Sequence, residues 1–293
     1  MHSDGLDSVG MLIRALASFA IMLFSGAVAS DSLGQESARW EPLNGVPAVA
    51  VDSASTGSAT SLGVGTVGVG LGDTRRTTGI RLAWRNGRFR RANGINVTLW
   101  LPYTEGIEEL GDADGAEEFE ESFVGTTNGL ALGLLHYPER VRGVGVGLFG
   151  PVAESMQGLA MSGLVSATVD NATGLLLGGA GAASGENING IAIGGLAAGA
   201  EESVNGVVLG GVGVEAQSIR GIGLGGATVR VENGSIYGIA ASAHNHIEGR
   251  QVGLSVGVYN YASDLQGIQL GLVNVAQNNP TWARVLPILN LSL

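Results

Sequence analysis

The chain of 293 residues contains neither cysteine nor lysine. Without cysteine it can form no disulfide, no active-site thiolate and no lipidated N-terminal cysteine. All fifteen basic residues are therefore arginine, which excludes a lysine phosphate-binding loop, a Schiff base and a lysine general base. Aromatic residues make up only 5% of the chain, which is few for the two aromatic girdles of a transmembrane barrel.

Glycine is abundant, with 50 residues, but it follows no collagen period. It marks instead a unit of fifteen to sixteen residues that recurs ten times between Gly129 and Leu272, each opening with glycine, an aliphatic residue, a small residue and a second aliphatic residue. Two more units begin at Gly79 and Gly94. A period this steady indicates an array of structural repeats. The ten opening glycines are Gly129, Gly143, Gly158, Gly174, Gly190, Gly206, Gly221, Gly238, Gly253 and Gly267.

Large and small residues alternate after each opening glycine, as in the stretch Gly190–Ile193. This period of two is typical of a β-strand, and we expect the two aliphatic positions of each unit to stack into internal ladders. A further apolar residue, such as Ile188, stands two places before the glycine and is expected to anchor the return segment of the unit. Asparagine precedes several of the glycines, as at Asn189, and this pair predicts a sharp turn with positive φ.

Two architectures fit the array. The favoured one is all-β, a β-solenoid of about twelve 15-16-residue repeats in which each unit forms one coil. The alternative is a transmembrane antiparallel β-barrel in which each unit forms one spanning strand and a turn. The absence of alternating short and long loops and the scarcity of aromatic residues favour the solenoid.

The N-terminus predicts export, because a short apolar run ends in Ala27-Val28-Ala29, a small-x-small cleavage pattern. The chain then divides into a signal peptide (1–29), a loose lead-in (30–61), a glycine-rich β-repeat domain (62–279) and a C-terminal cap (280–293). Between Gly94 and Gly129 the repeat step lengthens to 35 residues. The excess is rich in Asp and Glu, and it predicts an acidic insertion at 102–125.

Seven of the fifteen arginines stand just before this insertion. They are Arg75, Arg76, Arg81, Arg85, Arg88, Arg90 and Arg91. The first interpretation is a solvated patch screened by the acidic loop, in which each pair contributes less than about 1 kcal/mol. The second is an anion-binding patch formed by Arg85, Arg88, Arg90 and Arg91, for lipid headgroups or an acidic glycan.

Residues with catalytic or metal-binding chemistry are scarce. His244 and His246 alternate on one predicted strand and, with Glu248, would suit a metal, although two neutral surface histidines are the favoured interpretation. Asp112 and Asp114 resemble the start of a calcium loop whose later ligands are missing. The stretch Gly221–Gly226 has the spelling of a dinucleotide motif, which chance explains in so glycine-rich an array. We therefore expect no catalytic residue, no resident metal and no cofactor.

The final units, Gly253–Asn260 and Gly267–Asn274, together with the Pro-Ile-Leu-Asn ending, resemble the bacterial surface-repeat-containing family of Gly-Leu-Gln-Leu-Gly-Leu-Val-Asn arrays. That resemblance implies an exported protein of the cell surface, outer membrane or periplasm, with no catalytic residues to transfer. A looser similarity, in Asn189–Gly194, is to the glycine-rich heads of trimeric adhesins.

The expected function is a non-enzymatic, structural or interaction role in the cell envelope. Its partners would be envelope glycan, lipid headgroups or another surface protein, and membrane association is open. An outer-membrane β-barrel pore is the alternative, and a glycan-active enzyme using Glu117 and Glu118 is a third possibility. A net charge of −11 with a single arginine patch argues against nucleic acid.

Overall fold

A computed structural model describes residues 60–64, 67–84, 89–99, 125–136 and 139–292. The predicted signal peptide, nearly all of the lead-in and of the acidic insertion, Arg85, Arg88, and the acidic residues Asp112, Asp114, Glu117 and Glu118 lie outside these residues. Within them no helix has the length and apolar character needed to cross a bilayer.

The described chain consists of β-strands and one short 3-10 helix, Thr281–Ala283. The first strands are β1 (Thr60–Val64), β2 (Val67–Leu71), β3 (Arg76–Ala83), β4 (Arg91–Thr98), β5 (Gly125–His136), β6 (Glu139–Ala153), β7 (Met156–Ser162), β8 (Val165–Thr168), β9 (Ala172–Gly178) and β10 (Gly181–Ser184). The remaining strands are β11 (Asn187–Gly194), β12 (Ala197–Ala200), β13 (Ser203–Gly210), β14 (Gly213–Ala216), β15 (Ser218–Gly225), β16 (Thr228–Val231), β17 (Ser235–Ala241), β18 (His244–Val256), β19 (Tyr259–Ala276) and β20 (Val285–Ser292).

Equivalent strands of successive repeats pair in parallel and in register. Gly190 of β11, for example, lies between Gly174 of β9 and Gly206 of β13. The strands form a β-solenoid of about eleven turns, so the predicted fold class is confirmed. The antiparallel-barrel alternative is wrong, and the pore function that depended on it is withdrawn.

Each central coil contains one long and one short strand joined by tight turns, as in β11 and β12. The long strands stack into one parallel sheet and the short strands into a second. In β18 and β19 the short and the long strand of one coil are continuous: the first part of β18 pairs with the short strand β16 and its second part with the long strand β17. The pairing of β18 with β19 shifts in register between Ile247 and Arg250. At the two ends, β1 pairs antiparallel with β2 and β20 pairs antiparallel with β19.

The core between the two sheets contains four rows of side chains. The long strands supply the residue two places before each glycine, the anchor row, and the residue two places after it, the inner row. In the coil of β11 these are Ile188 and Ala192, both fully buried. The short strand of the same coil supplies Ala198 and Ala200. The predicted anchor residues are therefore buried, but they lie in the same strand as the glycine and not in a return segment.

The opening glycines lie inside the long strands, so the sharp turn predicted at the Asn-Gly pairs is wrong. All twelve, from Gly79 to Gly267, have positive φ. The reason is close contact between coils: a Cβ on Gly221 (φ 137°) would lie 2.0 Å from the carbonyl oxygen of Gly206. Only glycine fits a strand position with this φ and this approach.

We predict that Gly221→Ala destabilises the protein by more than about 3 kcal/mol, because it combines a backbone clash with an unfavourable φ. Gly223→Ala is the matched control in the same strand. Its Cβ would meet side chains and no backbone among the nearest atoms, the closest being Ile219 Cδ1 at 3.2 Å. The equivalent places in the two preceding coils hold Ala192 and Val208. We expect a change within about 1 kcal/mol for the control. Thermal unfolding followed by circular dichroism measures both, and equal losses would contradict the contact.

Candidate functional site

The most distinctive surface of the protein is the outer side of the long-strand sheet. Strand residues alternate between the two sides of a sheet, so the residues one and three places after each glycine point away from the core. In β11 these are Ile191 and Ile193, which are 41% and 38% exposed, whereas Ala192 between them is fully buried. The expectation of internal aliphatic ladders is wrong, because these ladders lie on the outside.

The two aliphatic rows run along twelve consecutive coils. The first row contains Ile80, Ile95, Leu130, Val144, Leu159, Leu175, Ile191, Val207, Ile222, Ile239, Leu254 and Ile268. The second row contains Leu82, Val97, Leu132, Val146, Met161, Leu177, Ile193, Leu209, Leu224, Ala241, Val256 and Leu270. Each of these side chains is exposed or half-buried.

A third apolar row continues around the adjacent turn, with Leu196 43%, Val212 40% and Val258 54% exposed. At the C-terminal end, Leu291 and Leu289 of β20 pair with Ile268 and Leu270 and extend the first two rows by one strand. We call the two aliphatic rows, the turn row and this extension the apolar face.

The other half of the same sheet is polar. The residue before each glycine faces outward, and neighbouring asparagines in this row form short ladders, in which Asn205 Nδ2 donates to Asn189 Oδ1 at 3.0 Å and Asn128 Nδ2 donates to Asn93 Oδ1 at 2.8 Å. Beyond these ladders lies an acidic edge, in the turns that enter the long strands. It is formed by Glu154, Asp170, Glu186 and Glu202 of four successive coils, whose backbones are hydrogen-bonded in series. The solenoid is therefore amphipathic across its width.

The size of the apolar face sets it apart from an ordinary surface. Eleven steps of about 4.8 Å along the axis and two steps of about 7 Å across the rows give a patch on the order of 800 Å². The largest apolar patch on a typical monomeric protein is about 300–600 Å², and larger ones mark interaction sites. Parallel rows of aliphatic side chains over such an area are suited to docking a broad surface.

Two residues of the predicted anion-binding patch, Arg90 and Arg91, lie within the described residues, so the patch stays a prediction. Arg90 and Arg91 are exposed and line a shallow groove with Arg76, Thr78 and Asn93. Arg91 lies beside Arg76 in the register of β3 and β4. This juxtaposition concentrates positive charge on the polar half of the first coils.

Arg81, by contrast, does not belong to a surface patch, because its side chain is fully buried in the inner row. It donates to Asn96 Oδ1 at 3.0 Å, lies 3.4 Å from Asp73, and its guanidinium lies 4.5 Å from the centre of the Phe89 ring. These contacts neutralise and cover the charge at the N-terminal end of the core.

His244 and His246 lie on the outer side of the short-strand sheet, next to two tyrosines of the following coil. The His244 ring stacks on Tyr259 with centroids 5.0 Å apart, and His246 stacks on Tyr261 at 4.7 Å. Sequence analysis missed the tyrosines, although each follows its histidine by fifteen residues, one repeat. Glu248 lies 3.5 Å from His246, but the described residues contain no group of three His, Asp or Glu placed to hold a metal.

Burial lowers the pKa of both histidines below the ordinary 6.5. For His244, the neighbouring His246 and Arg230 lower the pKa further. For His246, Glu248 partly opposes the effect of burial. Both imidazoles are therefore more readily neutral in the folded chain than in the unfolded chain.

Comparison with known protein families, with curated proteins and with solved structures gave no match for this chain. The resemblance to surface-repeat proteins therefore stays a prediction.

We predict a pH dependence from the histidine pair. The folded pKa values lie below 6.5, so between pH 6.5 and the folded values the unfolded chain binds more protons than the folded chain. The neutral pair therefore contributes its full stability above pH 6.5, and this stability is lost as pH falls through the folded pKa values. Between pH 7.5 and 5.5, the melting temperature of the wild type should fall further than that of His244→Gln/His246→Gln. The difference between the two falls should be only about 2 °C, because both histidines are half exposed. Parallel pH profiles for the two proteins would refute this account.

We further predict that the triple change Arg76→Ala/Arg90→Ala/Arg91→Ala lowers the salt concentration at which the protein elutes from heparin, because it removes clustered charges that act together. Arg220→Ala, which removes a single exposed arginine from another coil, is the control and should elute close to the wild type. Unchanged elution of the triple variant would show that the groove does not bind acidic polymers.

Proposed function

We propose that this chain is an exported, non-enzymatic component of the bacterial cell envelope, and that it has a structural or interaction role carried by the apolar face. The main support is the outward orientation of two aliphatic rows over twelve consecutive coils. Burying apolar surface is favourable by about 25 cal/mol per Å². A partner surface that covers these rows removes them from water and thereby stabilises the complex.

The arrangement of the rest of the surface supports the same role. The acidic edge and the asparagine ladders keep one side of the solenoid hydrated, so a docked chain would remain soluble on that side. A parallel solenoid is also rigid along its axis, since each coil is hydrogen-bonded to both neighbours. A rigid rod with one apolar face is suited to holding partners in a fixed order along the envelope.

The proposed partners are another surface protein, envelope glycan or lipid headgroups. Of the three, a protein surface fits the apolar face best, because aliphatic rows offer no hydrogen bonds to a sugar and no charge to a headgroup. The arginine groove at the first coils is the surface that suits an acidic glycan or a phosphate.

The test uses two residues at the centre of the face. Leu177→Glu/Ile193→Glu places two carboxylates in the second aliphatic row, and Ala183→Glu places one on the opposite sheet of the same coils. The control is mild because Glu215 already occupies that outward row two coils further on. All proteins are first checked for an unchanged circular dichroism spectrum.

In fractionated bacterial cells, we expect the wild type and Ala183→Glu in the envelope fraction and the Leu177→Glu/Ile193→Glu variant shifted to the soluble exported fraction, by at least about tenfold if docking loses 1.4 kcal/mol or more. Retention of the folded double variant in the envelope would refute the role of the face. Recovery of the wild type in the cytosol would refute the exported function itself.

A further inference from the structure

We propose that the apolar face binds the same face of a second copy of this chain, with the two solenoids antiparallel. This inference rests on the proposed function, since it names the first partner of the docking face. A two-fold axis along the strand direction, between the coils of β9 and β11, would superimpose the two apolar faces. Leu177 of one copy would then lie opposite Ile193 of the other.

The area of the face fits such a dimer. A patch on the order of 800 Å² on each copy equals the contribution of one partner to a standard protein interface. The composition fits as well, because homodimer interfaces are richer in apolar surface than other interfaces. A smaller peptide or a single lipid chain would leave most of the rows in contact with water.

The shape of the face also matches itself. Stacked coils place aliphatic side chains about 4.8 Å apart along each row, and a second copy has the same spacing, so its side chains can enter the gaps between rungs. Face-to-face sheets pack about 10 Å apart in protein cores, with side chains of both inner faces interdigitating. Two copies would thus form a closed apolar layer between two sheets.

The two-fold axis that brings the apolar faces together also sets the orientation of the two copies, because it makes the solenoid axes antiparallel. On the polar half of the sheet, the first coils present Arg76, Arg91 and Arg142, and the last coils present Asp264 paired with Arg250 at 2.7 Å. With antiparallel axes, the arginine end of one copy lies beside the Asp264 end of the other, and the polar ladders face each other. The two arginine groups are then separated by nearly the length of the solenoid, which avoids repulsion between them, while the acidic edges of the two copies lie at the rim near the two-fold axis.

The same charges disfavour an anionic lipid surface as the occupant. The chain has a net charge of −11, and four of its acidic residues stack along the acidic edge. Anionic headgroups attract clusters of basic residues beside an apolar face, whereas here the arginine cluster lies in the first coils and the later arginines stand singly. A second copy covers the aliphatic rows without needing basic residues along the whole face.

The experiment measures the mass of the purified full chain by sedimentation equilibrium over a concentration series. We expect a dimer for the wild type and for Ala183→Glu, and a dissociation constant at least about 100-fold higher for Leu177→Glu/Ile193→Glu, because both copies would bury carboxylates at the centre of the interface. A dissociation constant of roughly 100 µM is taken as the weakest that a specific dimer would show. A wild type that is monomeric up to that concentration would overturn the inference, and so would a double variant that dimerises like the wild type.

The absence of cysteine allows a direct test of orientation. In a mixture of the single variants Ile80→Cys and Ile268→Cys, mild oxidation should produce the mixed 80–268 disulfide and little 80–80 disulfide. Predominant 80–80 disulfide would overturn the antiparallel arrangement. Both positions are exposed in the isolated chain, so reactivity alone does not favour either product.

A final measurement separates this inference from the proposed function. Flotation with phosphatidylcholine vesicles should leave the wild-type chain at the bottom of the gradient. Flotation that is lost in Leu177→Glu/Ile193→Glu would make the bilayer the occupant and overturn the dimer, while the envelope role of the face would stand. If the wild type dimerises but does not fractionate with the envelope, the proposed function is refuted and the dimer stands.

Discussion

The row of glycines with positive φ is the constraint on which this structure depends. At each coil the glycine lies directly against the carbonyl oxygen of the glycine before it, so no side chain fits in the row. The strand continues through the glycine and keeps its alternation. As a result the residues two places before and two places after the glycine share one side of the sheet, and the residues one and three places after it share the other.

This alternation determines which side becomes the core. In β11 one set contains Ile188, Gly190 and Ala192, and the other contains Asn189, Ile191 and Ile193. Burying the second set would desolvate an asparagine in every such coil, at a cost of about 1–3 kcal/mol for each unpaired amide. Burying the first set costs no polar group. In the coils that contain this asparagine, the cost favours placing the aliphatic rows on the outside.

The core changes in composition towards both ends of the solenoid. Its middle is mostly apolar, with a few buried hydroxyls such as Thr168 and Ser184, whereas the C-terminal coils contain a buried ladder in which Asn245 Nδ2 donates to Asn260 Oδ1 and Asn260 Nδ2 donates to Asn274 Oδ1, both at 2.7 Å. At the N-terminal end Arg81 and Asn96 occupy the inner row. Hydrogen-bonded side chains at both ends fix the register of the coils next to the antiparallel strands β1 and β20, where stacking stops.

Sequence analysis gave the fold class correctly because the 15-16-residue period and the period of two are both local patterns. It placed the aliphatic rows on the wrong side because it interpreted Asn189-Gly190 as a turn. That interpretation separated Ile188 from the strand, and with it the evidence that Ile188 and Ala192 face the same way. The stacking of Tyr259 and Tyr261 on the histidines, and the burial of Arg81, depend on contacts between coils that no single repeat shows.

The orientation of the aliphatic rows is the central claim, and thiol labelling tests it most directly. The chain lacks cysteine, so Ala192→Cys and Ile193→Cys each carry a single thiol, one predicted inside and one outside. In native protein, diluted enough to keep chains apart, a maleimide should modify Ile193→Cys rapidly and leave Ala192→Cys protected until the protein unfolds. Faster labelling of Ala192→Cys, or equal rates at both positions, would contradict the account.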